Sequence, residues 1–170
     1  IQLSGEDAKD YLHRTSSNDV EGLKDGQGQH GLYLNPKGKI LSELHSYQLN
    51  PEAVFVQLPS QSAALVLKRF NLFILNSRVT ITDEQKSRLL LSVQGPKANA
   101  VLQSLGQDIL ANDFDHKEWV IDAVPCRLIK RSRTGSHGFD LVIPKDRSEM
   151  VVETVKKAVE ELGGGVVGAE

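Results

Sequence analysis

The groups able to do chemistry gather around one turn and one strand. In Asn35-Pro36-Lys37-Gly38-Lys39-Ile40-Leu41-Ser42-Glu43-Leu44, Pro36 pre-sets φ for a turn and Gly38 can take the positive φ that closes it. Gly31-Leu32-Tyr33-Leu34 runs into the turn, and Ile40 to Tyr47 runs out of it with partial apolar/polar alternation. Two β-like runs about such a turn predict a hairpin. Its tip presents Lys37 and Lys39, a solvated loop by spacing alone. Ser42 and Glu43 then fall on opposite faces of the outgoing strand. Glu43 can accept a proton or a hydrogen bond if a partner lies within reach, and Ser42 cannot act as a base. Further along, Asp140 follows Gly138-Phe139 and, from the residues alone, is a strand-edge charge. Tyr33 and Tyr47 are strand aromatics of the kind that fill cores, and Arg133 is a solvated base in a loop.

Several kinds of chemistry are not signalled. A net charge of −2 over 170 residues gives no reason to expect nucleic acid or an anionic membrane as partner. No window reaches the roughly 18 apolar residues that span a bilayer. The five histidines, His13, His30, His45, His116 and His137, show no metal-ligand spacing. Gly26-Gln27-Gly28 and Gly163-Gly164-Gly165 lack the Lys-Ser/Thr of a phosphate loop and the strand–helix setting of a dinucleotide fingerprint. No Ser–His–Asp set is suggested by spacing. The lone Cys126 permits no internal disulfide and reads as an inert core thiol. No signal peptide and no initiator Met are present, and the chain is expected to be a piece of a longer protein.

The elements that must hold these residues follow from periodicity. A helix is expected from Gly5 to Arg14, with Ala8, Tyr11 and Leu12 on one face. Strands follow at Gly26–Leu34, out to about Leu49, and at Ala53–Leu58. Ser60 is placed to cap a helix whose face is Ala63, Val66, Leu67 and Phe70. Val79–Thr82 is a short strand. The order then restarts. Leu89–Val93 is a strand, Gly95-Pro96-Lys97-Ala98 opens a helix, and strands are expected at Trp119–Ala123, Cys126–Lys130 and Phe139–Ile143. Asp146 with Glu149 resembles a capping box before a helix ended by Gly163–Gly165, and Val166-Val167 is expected to close as a strand. Gly5, Ala8 and Leu12 stand 90 residues before Gly95, Ala98 and Leu102. Each half reads strand, helix, two or three strands, helix, strand, the order of ferredoxin-like α+β units.

Gly5-Glu6-Asp7-Ala8 with Leu12 and Asn18-Asp19-Val20, Gln94-Gly95-Pro96-Lys97-Ala98, and Arg133-Thr134-Gly135 with Gly138-Phe139-Asp140 carry a resemblance. The chain resembles the folate-binding superfamily of the glycine cleavage T-protein (aminomethyltransferase) and the YgfZ-type proteins. Pro36-Lys37-Gly38-Lys39 with Ser42 and Leu44, and Leu67-Lys68-Arg69-Phe70 leading to Arg78-Val79-Thr80-Ile81, look closer to YgfZ. The transferase has an Asp-Asp pair where Ser42-Glu43 stands, and a Gly-Tyr-Thr-Gly-Glu stretch in place of the shorter Gly135-Ser136-His137-Gly138. The YgfZ cysteine signature, Lys-Gly-Cys-Tyr-x-Gly-Gln-Glu, is not within these residues. The resemblance implies an α+β fold of two interleaved antiparallel-sheet units, without the family's C-terminal barrel. It divides the chain into a first folate-binding part at 1–50, an inserted strand–helix–strand unit at 51–86 and a second repeat at 87–170.

For the site, the resemblance implies tetrahydrofolate as ligand. Asp140 would accept hydrogen bonds from the pterin N3–H and 2-amino group, a charge-assisted pair. Glu43 would stand near the reacting amine, Tyr33 and Tyr47 would stack on the rings, and Lys37, Lys39 and Arg133 would meet the glutamate tail. Three functions are implied: a YgfZ-like folate-binding protein supporting iron–sulfur enzymes or tRNA modification, an aminomethyltransferase of glycine cleavage, or an interaction module that has lost the ligand. The Ser42-Glu43 change leaves enzymatic activity open. The expected compartment is the cytoplasm, or the mitochondrion for a eukaryotic parent, with protein clients as partners beside the folate.

Overall fold

The structure, a computed structural model, describes residues 1–167. The chain is α+β and folds as two consecutive units, Ile1–Gln85 and the residues from Lys86 on. The first unit runs β1 (Gln2–Ser4), α1 (Ala8–Thr15), β2 (Gly28–Leu34), β3 (Ile40–Asn50), β4 (Ala53–Gln57), α2 (Ser60–Phe73) and β5 (Thr80–Thr82). Its antiparallel sheet has the order β2-β3-β4-β1-β5. Setting aside β2 at the edge, the remaining elements follow the βαββαβ order.

The 51–86 segment, expected as an insert, is woven into this sheet. β4 lies between β3 and β1, and β5 covers the far side of β1. The two units are therefore successive rather than interleaved. Strand order is a long-range property that local turn signals at Asn50-Pro51 do not reveal.

The second unit runs β6 (Arg88–Gln94), α3 (Ala98–Ser104), β7 (His116–Ile121), β8 (Val124–Lys130), β9 (Gly138–Pro144), a short 3₁₀ turn (Lys145–Arg147) and α4 (Ser148–Glu161). Its sheet order, β6-β9-β8-β7, repeats the β1-β4-β3-β2 order of the first. Val166 and Val167 form no strand and are exposed, so among the described residues nothing in the second sheet corresponds to β5. Two β-branched residues after three glycines supply too few ladder positions to hold a strand by local preference.

The duplication is physical as well as sequential. Gly5 and Gly95 both sit at positive φ, +130° and +123°, where a side chain would be strained. In both turns the glycine carbonyl accepts the amide of the alanine three residues on, at 3.0 Å. Ala8 and Leu12 are then buried under the first sheet, and Ala98 and Leu102 under the second. The small alanine lets each helix start lie close to its sheet.

Each unit closes its own core between two helices and one sheet face. In the first, Leu3, Tyr33, Leu44, Val54 and Val56 meet Ala8, Leu12, Val66 and Phe70. Tyr11 packs edge-on against Phe70 at 5.9 Å and donates its hydroxyl proton to the Phe70 carbonyl at 2.7 Å, which leaves its buried polar atom satisfied. In the second, Val93, Trp119, Cys126, Leu128, Phe139 and Leu141 meet Ala98, Leu102, Val151 and Val155. Burying such a side chain is worth about 1.5–3 kcal/mol, so one apolar face per sheet suffices to fix the strand registers.

Two expected caps differ. α2 starts one residue earlier than a Ser60 cap requires, with Pro59 in the cap position. Proline's fixed φ sets the entry instead of a side-chain hydrogen bond. Asp146 lies inside the 3₁₀ turn, and Ser148 donates back to the Lys145 carbonyl at 2.9 Å. The tighter turn displaces the α-helix start by one residue, with Arg147 in the cap position, so Asp146 and Glu149 form no capping box.

Candidate functional site

Strand alternation gives each sheet a second face that its own helices do not cover. On the first sheet this face carries His30, Leu32, Glu43, His45, Tyr47, Phe55 and Gln57, by the registers His30↔His45, Leu32↔Glu43, His45↔Gln57 and Tyr47↔Phe55. Glu43 is half exposed, and His30 Nε2 lies 3.5 Å from its carboxylate. The two are diagonal cross-strand neighbours, the usual reach of such a pair. The contact is an ion pair when His30 is protonated. The His30 and His45 rings lie 4.9 Å apart. Tyr47 is buried, lies along Phe55 at 6.0 Å, and donates to Gln57 Oε1 at 3.3 Å. Ser42 turns the other way, as expected. Its hydroxyl donates to the Glu43 carbonyl at 2.6 Å and lies 2.7 Å from Ser62 Oγ on α2.

Tyr33 and Tyr47 do not share a site. Tyr33 faces the helices and packs edge-on against Phe70 at 5.2 Å. Only Tyr47 is on the face of Glu43. Lys37 and Lys39 are at the exposed hairpin tip, where Asn35 Oδ1 accepts both of their amides at 2.9 Å. The turn is held by that asparagine, and the lysine side chains are solvated.

On the second sheet the helix-free face carries Ser92, His116, Glu118, Arg127, Ile129, Asp140 and Val142. Asp140 is fully buried on β9 between Ser92 and Ile129. It is not a free acceptor. Arg133 donates to both its oxygens, Nε to Oδ1 at 3.2 Å and Nη2 to Oδ2 at 2.6 Å, and Arg131 Nη1 stands 3.7 Å from Oδ2. The two residues expected to hold opposite ends of a folate therefore hold each other. The reason lies in the loop between β8 and β9. Gln94 donates to the Arg131 carbonyl at 3.0 Å and accepts from the Arg133 amide at 2.8 Å, which turns both guanidiniums onto the one carboxylate. The close approach needs Gly138, where a Cβ would sit 2.2 Å from Gln94 Oε1.

A third arrangement was not legible in the sequence. Arg127 donates to Glu118 at 3.0 Å and contacts His116 Nδ1 at 2.9 Å. Arginine has no acceptor, so His116 Nδ1 accepts and its ring proton sits on Nε2. His30, Gln94 and Arg131 were likewise missed. Counting outward from the Leu34↔Ile40 pair would have set His30 opposite Leu44, and the register shift between Tyr33 and Leu34 sets it opposite His45 instead. Cys126 is buried, and burial pushes its thiol pKa up, as suits an inert core residue. Among the described residues no group of three His, Cys, Asp or Glu is arranged to hold a metal. None of their helices is long and apolar enough to cross a membrane.

The chain resembles known proteins along its whole length. The family model described as GCVT N-terminal domain matches residues 1–170. An aminomethyltransferase of Mycobacterium avium is 26% identical over 169 residues, covering 98% of this chain and 45% of that protein. One from Thermus thermophilus is 27% identical over 166 residues, 96% of this chain and 48% of that protein. The chain thus spans about half the length of the curated relatives it matches. The glycine cleavage aminomethyltransferase T of Bartonella henselae superposes with a TM-score of 0.78 at 22% identity, over 91% of this chain and 42% of that one. The heterotetrameric sarcosine oxidase of Corynebacterium sp. U-96 superposes with a TM-score of 0.69 at 18% identity, over 98% and 83%. These two likenesses show a shared fold. With the family model matched from end to end, this chain belongs to the GCVT N-terminal domain family.

Proposed function

We propose that this chain is the tetrahydrofolate-binding part of an aminomethyltransferase of the T-protein kind. The observation that carries the reading is the family match over all 170 residues, with relatives named aminomethyltransferases along nearly the same span. The residues on the first sheet fit such a ligand. Glu43 is a half-exposed carboxylate on a helix-free face, with His30 beside it and the Tyr47 ring and Gln57 amide further along the same face. A carboxylate there can accept from a nitrogen donor pair or orient an amine. Tetrahydrofolate, when bound, supplies the nitrogens that take up a one-carbon unit. Glu43 holds or receives a proton at its carboxylate, and His30 sets the charge it sees. Asp140 and Arg133 act instead as an internal clamp on the second sheet.

A second reading keeps the folate and drops the transfer, in the manner of a YgfZ-like protein supporting iron–sulfur enzymes or tRNA modification. The observation favouring it is Ser42, which is buried and tied to Ser62, so this strand start offers one carboxylate and not two.

Both readings are tested on the protein at its full natural length. Isothermal titration with tetrahydrofolate is expected to give saturable heat, and aminomethyl-loaded carrier protein is expected to release ammonia when the folate is added. Binding without ammonia release selects the second reading. Neither heat nor a thermal shift on adding folate overturns both and leaves an interaction module.

A further inference from the structure

A recess of about 360 Å³ opens at the edge of the first unit, where the end of α1, the β2–β3 turn and the end of α2 meet. Arg14, Ser16, Tyr33, Asn35, Arg69 and Phe73 line it, and no Asp or Glu does. It does not belong to the Glu43 face, because Tyr33 and Glu43 lie on opposite sides of the hairpin.

Its donors are unspent. The Arg69 guanidinium lies 5.9 Å from the Tyr33 ring centre and 5.3 Å from that of Phe73. This aromatic slot fixes the cation in place. Its Nε is buried with no hydrogen-bond partner, and among the described residues no carboxylate pairs with the group. Tyr33 is 3% exposed, and its hydroxyl has no partner among the described residues. Asn35 spends its oxygen on the Lys37 and Lys39 amides and leaves its NH₂ unused. Arg14, across the recess, is already balanced by Asp10 at 2.8 Å. The carbonyls at the end of α1 would repel an anion, but the Thr15 and Ser16 hydroxyls cover those of Tyr11 and Leu12 at 2.8 Å.

A half-buried guanidinium whose Nε–H is buried without a partner and which has no counter-charge among the described residues, beside an idle hydroxyl and an idle amide, is costly unless something fills the recess. We propose that this recess binds a small molecule through an oxyanion, a carboxylate or a phosphoryl group. Arg69 supplies charge-assisted donors, and the Tyr33 hydroxyl and Asn35 amide supply the rest.

The test is an NMR titration of the ¹⁵N-labelled 170-residue chain with sodium acetate and, separately, with inorganic phosphate, against sodium chloride at matched ionic strength. The expected result is a saturable shift of the Arg69 Nε–H and Asn35 side-chain amide signals with acetate or phosphate and not with chloride. The tighter of the two names the group. Arg69→Gln, read at Asn35, is expected to weaken binding by about tenfold or more, the worth of a hydrogen bond to a charged group. Tyr33→Phe keeps the ring that holds Arg69 and removes only the hydroxyl, so it is expected to weaken binding several-fold without loss of fold. Shifts that stay linear, that chloride reproduces, or that neither substitution weakens overturn the site.

Discussion

Replacing Asp140 by Asn isolates what the clamp on the second sheet does. The carboxylate is fully buried and holds two arginines, of which Arg133 is 35% and Arg131 14% exposed. Removing one partner of a fully buried pair costs about 3–5 kcal/mol. Here both guanidiniums reach some water and can turn toward it, so we expect less, about 2–3 kcal/mol. The asparagine keeps an acceptor for Arg133 but sets an NH₂ against a second donor. Trp119 is the one tryptophan in the chain and is buried in the second core, so its fluorescence reports this half. For a unit of this size a kcal/mol moves the melting point by about 4–8 °C, which predicts a fall of about 10–20 °C. Arg133→Gln, alone and combined with Asp140→Asn, completes a double-mutant cycle, and the two are expected to be strongly non-additive. A fall under 3 °C, or additive effects, would refute the clamp and return Asp140 to the role of a free acceptor.

The duplicated glycine turns should respond unequally to the same change. A Cβ at Gly5 would lie 2.1 Å from the Arg78 carbonyl oxygen, whereas one at Gly95 meets nothing within 4 Å. Gly95→Ala is expected to cost the backbone strain alone, about 1–3 kcal/mol, and Gly5→Ala distinctly more, measured by urea unfolding; equal costs would contradict the geometry. Asp7 governs a pH dependence. The Arg78 side chain, and then its backbone N–H at 2.8 Å, hold the Asp7 carboxyl below the usual carboxylate range. A lowered folded-state value means stability that is present above the unfolded value, near about 3.9, and lost as pH falls through the folded one. Urea midpoints followed by circular dichroism should show wild type above Asp7→Asn at neutral pH and the two converging in acid; a constant gap would argue against the assignment.

Local order made much of this fold legible. The faces of α1 and α2, the turn at Pro36-Lys37-Gly38 and the 90-residue echo of Gly5 in Gly95 all follow from the 3.6-residue helical period, from the fixed φ of proline or from the special freedom of glycine. What could not be read was set by partners distant in the chain. β4 enters between β3 and β1 because the sheet needs its valines over α1 and α2, and nothing near Ala53 announces it. Tyr33 and Tyr47 look alike in sequence, and a bulge beside Leu34 decides which faces the helices. Asp140 looked like a ligand-binding carboxylate because its captor, Arg133, is brought to it by the side chain of Gln94 some forty residues earlier. The site was visible as residue types and invisible as pairings.

The two apolar interiors share no residue: one is drawn wholly from Ile1 to Ile81, the other from Leu89 to Leu162. A cavity opened beneath Phe70 lies in the first interior and the Trp119 ring in the second, so that fluorophore senses its own half directly. Global values need a second reporter planted near Tyr11.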